Sequence, residues 1–317
     1  MAATTITRHL CPACATPTGT EVLASLELGS PTFRTYFHTF YPPSVAALIE
    51  RLALPAAELR ACPQCGTVFH GVVPAPEILA AFYSALQAAT IATARPVETH
   101  REEQRLLELM MVVRFLQPAA PRPSVLDFGT GDGSWARLAG ATGCGVSVTD
   151  TAETAFPSLT AAGVACLAPD RLPPSSFDFI NVEQVFEHLP DPATILSTLA
   201  ASLRPNGILK IGVPHDPNLR AKLAAPDWSA PKNSPSSLNS LAPIEHLNAF
   251  TPAGLDLLGV RFNLVPLGIS GWTLLDPRQP HRLGIRSRLV RLLRNRLGQR
   301  HRPPFTLSQT RFFLRPA

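Results

Sequence analysis

Ser124–Gly133, SVLDFGTGDG, is the stretch on which the reading of this chain turns. Val125, Leu126 and Phe128 form an apolar run that reads as a buried parallel strand. Asp127 interrupts the run, and Gly129, Gly131 and Gly133 follow at every second position. A glycine, lacking Cβ, lets the backbone turn tightly and approach a ligand closely. A helix beginning at Ser134 would aim its free N–H groups and the positive end of its dipole into that turn. The stretch therefore reads as a βα turn built to hold a nucleotide.

The residues downstream repeat the same alternation. SWARLAGATG gives a short helix, and GVSVTD (145–150) a second strand ending in an acid. Asp150 lies 21 residues beyond Gly129, where the hydroxyls of a ribose are gripped in such folds. Val164–Leu167 and Phe177–Val182 read as the third and fourth strands. DPATILSTLAASLRPNG follows as a helix, with Asp191 as N-cap, Pro192 at the first helical position and Gly207 as the stop. ILKIGVP (208–214) is a fifth strand, and PAGLDLLGVRFNLVPLGIS supplies a further helix and a sixth. This alternation predicts an α/β fold with a parallel, doubly wound sheet.

Composition limits the function classes. With 45% apolar and 16% charged side chains the chain is an ordinary globular sequence. It has no run of 18 apolar residues and no basic segment leading into an apolar core at the N-terminus, so a cytoplasmic protein is expected. The net charge of +5 is unevenly spread. Pro277–Ala317 holds 11 Arg and no Lys, Asp or Glu, which leaves 17 basic and 23 acidic side chains in the rest.

Four of the six cysteines form two C-x-x-C pairs, Cys11/Cys14 in CPAC and Cys62/Cys65 in CPQCG, separated by 47 residues. Each pair can present two sulfurs from one turn, and four thiolates complete a tetrahedral Zn²⁺ shell of the closed, structural kind. The competing readings are two unrelated reduced pairs or a redox C-x-x-C, although neither pair opens a thioredoxin-like βαβ pattern. Loss of Cys62 is expected to unfold the N-terminal module before it touches the chemistry.

Taken together, VLDFGTGDG, VTD, FDFINVEQVFEHLPDP and LRPNGILKIGVP resemble, in order and spacing, the class I S-adenosylmethionine-dependent methyltransferases. EHLNAFTPAGLDLL (245–258) adds to the likeness. A dinucleotide-binding dehydrogenase would have G-x-G-x-x-G, whereas here the glycines run G-x-G-x-G. The resemblance implies a Rossmann-like, seven-stranded doubly wound sheet whose last strand, TRFFLRP (310–316), runs antiparallel. CPAC, LASLELGSP (23–31), CPQCGTVF and FYS (82–84) are similar to the zinc-binding domain preceding some bacterial sugar C-methyltransferases, which usually carry a further C-terminal domain.

Site residues follow from the turn together with that resemblance. The cofactor S-adenosyl-L-methionine would lie against Gly129, Thr130 and Gly131, with Asp127 orienting the turn or meeting the ammonium group. Asp150 would accept from the ribose hydroxyls and Asp170 from the adenine amino group, while Glu183 and Gln184 end the fourth strand at the ligand edge. Methyl transfer is an in-line displacement, so alignment is the protein's main task. A base is needed only where the acceptor loses a proton, and the candidates are His188, His215, His246, Glu187 and Glu245. Structural Zn²⁺ would be held by Cys11, Cys14, Cys62 and Cys65.

The domain plan is a zinc-binding module over 1–85, a helical linker over 86–123 and a methyltransferase domain over 124–317 with a basic helical insertion at about 280–302. The long segment from His215 to Pro243 reads as a substrate lid. The basic helix reads as a solvated helix docked on the core, as a grip for a nucleotide-linked acceptor or an anionic membrane surface, or as a nucleic-acid contact; no motif favours the last. The expected partner is a small-molecule acceptor, a sugar or nucleotide-sugar. The alternative is a zinc-ribbon protein that uses the methyltransferase fold to bind or modify a macromolecule.

Overall fold

The computed structural model describes residues 4–17, 21–52, 54, 56–91, 108–109, 122–232, 234–267 and 307–317. The N-terminal part has five short strands: β1 (Thr5–Thr7), β2 (Glu21–Leu26), β3 (Ala57–Ala61), β4 (Val68–His70) and β5 (Val72–Pro74). It also has helices α1 (Pro31–Phe40), α2 (Pro43–Leu52) and α3 (Pro76–Ile91). The second part opens with β6 (Ser124–Phe128), α4 (Ser134–Ala141), β7 (Gly145–Thr149), α5 (Phe156–Ala161), β8 (Ala165–Cys166) and β9 (Phe177–Glu183). It continues through α6 (Pro192–Ser202), β10 (Leu203–His215), α7 (Leu219–Ala224), β11 (Asn248–Ala249), α8 (Pro252–Val260), β12 (Val265–Leu267) and β13 (Leu307–Leu314).

Seven strands form one sheet in the order β12-β13-β10-β9-β6-β7-β8. β6 pairs in parallel with β7 and β9, and β9 with β10, while β13 runs antiparallel between β10 and β12. Because side chains alternate across a strand, neighbouring residues serve opposite faces. Val125, Phe179, Ile208 and Phe312 pack with Trp135 and Ala139 of α4. Leu126, Ile180, Leu209 and Phe313 pack with Leu196 and Leu199 of α6 and with Leu255 and Leu258 of α8. Cover on both faces is why the central strands read as near-continuous apolar runs. The seven strands form the Rossmann-like, doubly wound sheet with an antiparallel last strand expected from the sequence.

Asp191 caps α6 as its position implies, accepting from the N–H groups of Ala193 and Thr194. The helix stops earlier than the sequence suggests. It ends at Ser202, and Leu203 already pairs with Phe177, so Gly207 lies in an irregularity of β10 between Leu203 and Ile208. There Gly207 O accepts from Arg315 N and Asn206 N donates to Arg315 O, so the bulge tethers the end of the chain.

A second sheet, in the order β11-β4-β3-β2, takes its first strand from the chain beyond β10: Asn248 pairs with Phe69 and Ala249 with Val68. The segment leading to β11, expected as a lid, is packed instead. Leu219, Leu223, Trp228, Leu238, Leu241 and Leu247 are buried in one core with Phe33, Tyr36, Phe37, Val45, Ile49 and Phe82 of the N-terminal part. Apolar residues scattered among the prolines and serines do this. Arg8 pins the junction, donating to Asn248 Oδ1 (2.7 Å) and to the carbonyls of Leu189 and Pro190. The basic stretch at about 280–302 and most of the 86–123 linker lie outside the described residues. No described helix is long and apolar enough to cross a membrane.

Trp228 tests this shared core. Its ring lies 5.2 Å from that of Phe33 and 6.0 Å from that of Tyr36, centroid to centroid. Trp228→Ala should cost about 3–5 kcal/mol of stability, seen as a lower urea midpoint. A lid residue would leave the midpoint unchanged.

Candidate functional site

The turn after β6 is shaped by its glycines. Gly129 has φ +77° and Gly131 φ +56°, the left-handed region that L side chains rarely adopt. A Cβ on Gly129 would overlap Val185 Cγ2, whereas one on Gly131 would meet nothing within 4 Å. The backbone is thus closed on one side and open on the other. Gly129 N donates to Thr149 O (2.8 Å), and Gly131 N donates to Asp150 Oδ2 (2.8 Å). The acid at the end of β7 reaches directly into the turn, and its Oδ1 accepts from Ala152 N (2.9 Å).

Asp127 is buried beneath the turn. Its Oδ2 accepts from Thr130 Oγ1 and its Oδ1 from Asn181 Nδ2, both at 2.7 Å. Its carboxylate therefore ties the turn to β9. Asp170 is exposed in the loop after β8. Glu183 ends β9 with its carboxylate 2.9 Å from Lys210 Nζ, and Lys210, 3% exposed, also meets Glu108 at 2.5 Å. Gln184 is exposed, has φ +56° and donates its N–H to Gly212 O. The turn is a bare backbone surface, packed by Val185 at Gly129 and open at Gly131, with an acid at its rim and a helix start behind it. These residues fit a nucleoside-bearing cofactor such as S-adenosylmethionine.

The segment after Gln184 leads into a buried cluster. His188 Nδ1 lies 2.7 Å from the carbonyl oxygen of Glu245 and 3.0 Å from Tyr83 Oη, and Tyr83 Oη also donates to that carbonyl. His246 Nδ1 meets Asn239 O, and the His188 and His246 rings are 4.8 Å apart between centroids. Tyr41 Oη donates to Glu245 Oε2 (2.6 Å), with Lys232 Nζ 3.6 Å from the same oxygen. Burial lowers the pKa of His188 to about 4 and also lowers that of His246, so both are neutral near pH 7. Burial also lifts the Glu187 carboxyl well above the usual range. Burial opposes ionisation of Glu245 too, but His246, Lys232 and Tyr41 hold its pKa below the ordinary value.

Of the three histidines singled out by sequence, the structure brings His188 and His246 together. His215 ends β10, half-buried next to Asp216. Tyr83, Tyr41 and Lys232 went unrecognised as members of this cluster. Tyr83 is 105 residues from His188, and no local pattern links them.

The four paired cysteines also converge. Their sulfurs all lie within 4.8 Å of one another, with Cys11 Sγ–Cys65 Sγ at 3.7 Å and Cys14 Sγ–Cys62 Sγ at 3.4 Å, and none is in a disulfide. The two turns are built alike. Cys11 N donates to Thr16 O as Cys62 N does to Thr67 O, and Ala15 and Gly66 occupy matching left-handed positions. This is a four-thiolate donor set on two equivalent knuckles. The knuckles rest on α8: Thr251 Oγ1 donates to Cys65 O (2.5 Å) and Arg261 Nη1 to Ala13 O (2.6 Å).

Comparison with known proteins gives one family match: a family model described as a methyltransferase domain matches residues 99–267. No curated protein matches the chain. Among solved structures, 1,6-didemethyltoxoflavin-N1-methyltransferase of Burkholderia thailandensis is 16% identical, with TM-score 0.45 over 82% of this chain and 96% of that one. The plantazolicin methyltransferase BamL is 15% identical, with TM-score 0.47 over 69% and 90%. A methyltransferase from Mesorhizobium loti is 18% identical, with TM-score 0.41 over 63% and 98%.

Proposed function

The chain belongs to the methyltransferase-domain family, and from that membership we propose that it transfers the methyl group of S-adenosylmethionine to a small-molecule acceptor, a sugar or nucleotide-sugar. One observation carries the reading. The short segment 184–188 packs Val185 against Gly129 in the donor turn and supplies Glu187 and His188 to the buried cluster. A donor and an acceptor held on either side of it would be neighbours at the carboxyl edge of the sheet, where ligands of such sheets bind.

S-adenosylmethionine supplies an electrophilic methyl on a sulfonium, whose positive charge the transfer removes. The chain's own residues bind and align. Gly129, Thr130 and Gly131 give the donor a close backbone surface, with Asp127 fixing its shape from below. Asp150, already on Gly131 N, keeps lone pairs for ribose hydroxyls, and the exposed Asp170 and Gln184 are assigned to the adenine and to the ligand edge of β9. Glu183 is engaged by Lys210, so its part is to fix the end of β9. The acceptor lies against the cluster of Tyr83, His188, Glu245 and His246, and a departing proton passes to a base there. The cluster is polar, buried and mostly neutral, which suits a hydroxylated ligand better than an extended chain.

The four cysteines hold a structural Zn²⁺ that leaves no open coordination position. The domains divide near residues 85 and 123, with residues 219–249 packed back into the first.

Incubation with methyl-labelled S-adenosylmethionine and a panel of nucleotide-sugars and hydroxylated small molecules tests the acceptor class. Label should enter at least one panel member and leave proteins and RNA of a cell extract unlabelled. Label confined to a macromolecular fraction would overturn the small-molecule reading.

A further inference from the structure

Glu187, His188 and His246 bring one carboxyl group and two imidazoles together. His188 Nδ1 lies against the Glu245 carbonyl and His246 Nδ1 against the Asn239 carbonyl. A carbonyl only accepts, so each Nδ1 carries the hydrogen and each Nε2 keeps a bare lone pair. His188 Nε2 is 3.7 Å from Glu187 Oε1. Glu187 is fully buried, and neither of its carboxyl oxygens has a hydrogen-bond partner. One ligand atom from each residue falls within 4.8 Å of the others.

The two carboxyl oxygens of Glu187, buried and without a partner, call for positive charge beside them. A proton on Glu187 would engage one imidazole at most. One divalent cation satisfies all three together. The anchoring of each Nδ1–H on a backbone carbonyl is also how ligating histidines are held for metal. We propose that Glu187, His188 and His246 form a second metal site, distinct from the cysteine cluster, which takes a divalent transition-metal ion of the Zn²⁺, Mn²⁺ or Fe²⁺ class. Two histidines and one carboxylate leave coordination positions open, as in sites that bind an exogenous oxygen. Tetrahedral ligands at about 2.1 Å from a metal stand about 3.4 Å apart, so the side chains close by about 1 Å on binding.

The cation binds without donor or acceptor, so the site stands apart from the methyl-transfer reading. If that reading holds as well, an acceptor oxygen takes an open position on the cation. With both imidazoles engaged, Glu245 is the base left in the cluster.

Titration of the metal-stripped full-length chain with Co²⁺, followed by its absorption spectrum, tests the site. Thiolate ligation gives an intense sulfur-to-cobalt band, and histidine–carboxylate ligation gives only weak visible bands. The expected result is one equivalent bound without the sulfur band, beyond any bound with it. In Glu187→Gln and His246→Gln that sulfur-free equivalent should bind more than tenfold more weakly. The sulfur band and the thermal midpoint, unchanged in the variants, report that they fold. A wild-type chain that binds no sulfur-free equivalent overturns the proposal, and so does one retained at full affinity in folded forms of both variants.

Discussion

Replacing Cys62 by Ser should abolish methyl transfer while leaving donor binding in place. The sequence alone suggests that the cysteine module would unfold before the chemistry is touched, but the packing couples the two. The cysteine knuckles sit on α8 through Thr251 and Arg261. β4, the strand that follows Cys62 and Cys65, pairs with β11 at the edge of the sheet, so it holds residues 248–249 close behind Glu245 and His246. Tyr83, which hydrogen-bonds His188, belongs to the same N-terminal core. A structural zinc contributes on the order of 10 kcal/mol to the segment that folds around it, more than a small module has in reserve. Its loss should therefore open 57–70 and 238–249 together. Hydrogen exchange read by mass spectrometry checks this: protection should vanish over both segments and persist over 124–149. Protection that persists over 238–249 in the variant would show that the two segments are not coupled.

Gly129→Val should weaken donor binding about a hundredfold. Gly129 has φ +77°, and its missing Cβ leaves the space that Val185 fills. A β-branched residue there bears left-handed strain of about 1–2 kcal/mol and overpacking of about 1–3 kcal/mol. The turn can relieve both only by rebuilding, which breaks the pairing of Gly129 N with Thr149 O and of Gly131 N with Asp150. If most of that cost falls on the bound form, affinity drops by about a hundredfold. β6 and β7 lie inside the sheet, so the fold itself should persist.

What was legible in the sequence was local. The apolar run at 125–128, the glycines after it, the acid at 150 and the Asp191 cap each declare themselves within a few residues, and each stands in the structure as read. The antiparallel last strand came from family likeness, and β13 pairs that way. The misreadings were of long range. A segment rich in proline and serine looks like a loop until its leucines and Trp228 find Phe33 and Tyr36 nearly two hundred residues earlier. Gly207 looked like a helix stop because the irregular start of β10 is set by its neighbours β9 and β13, not by its own residues. The buried cluster was half visible as histidines and glutamates, but the hydrogen bonds that orient them come from Tyr83, Tyr41 and two backbone carbonyls.

The glycine turn between β6 and α4, closed by Asp150, is proposed as the donor site. Calorimetric titration of S-adenosylhomocysteine into the wild-type chain and into Gly129→Val tests it most directly. One site per chain is expected in the wild type, and binding about a hundredfold weaker in a variant that stays folded. A wild-type chain that binds nothing, or a variant that binds as tightly as the wild type, would contradict it.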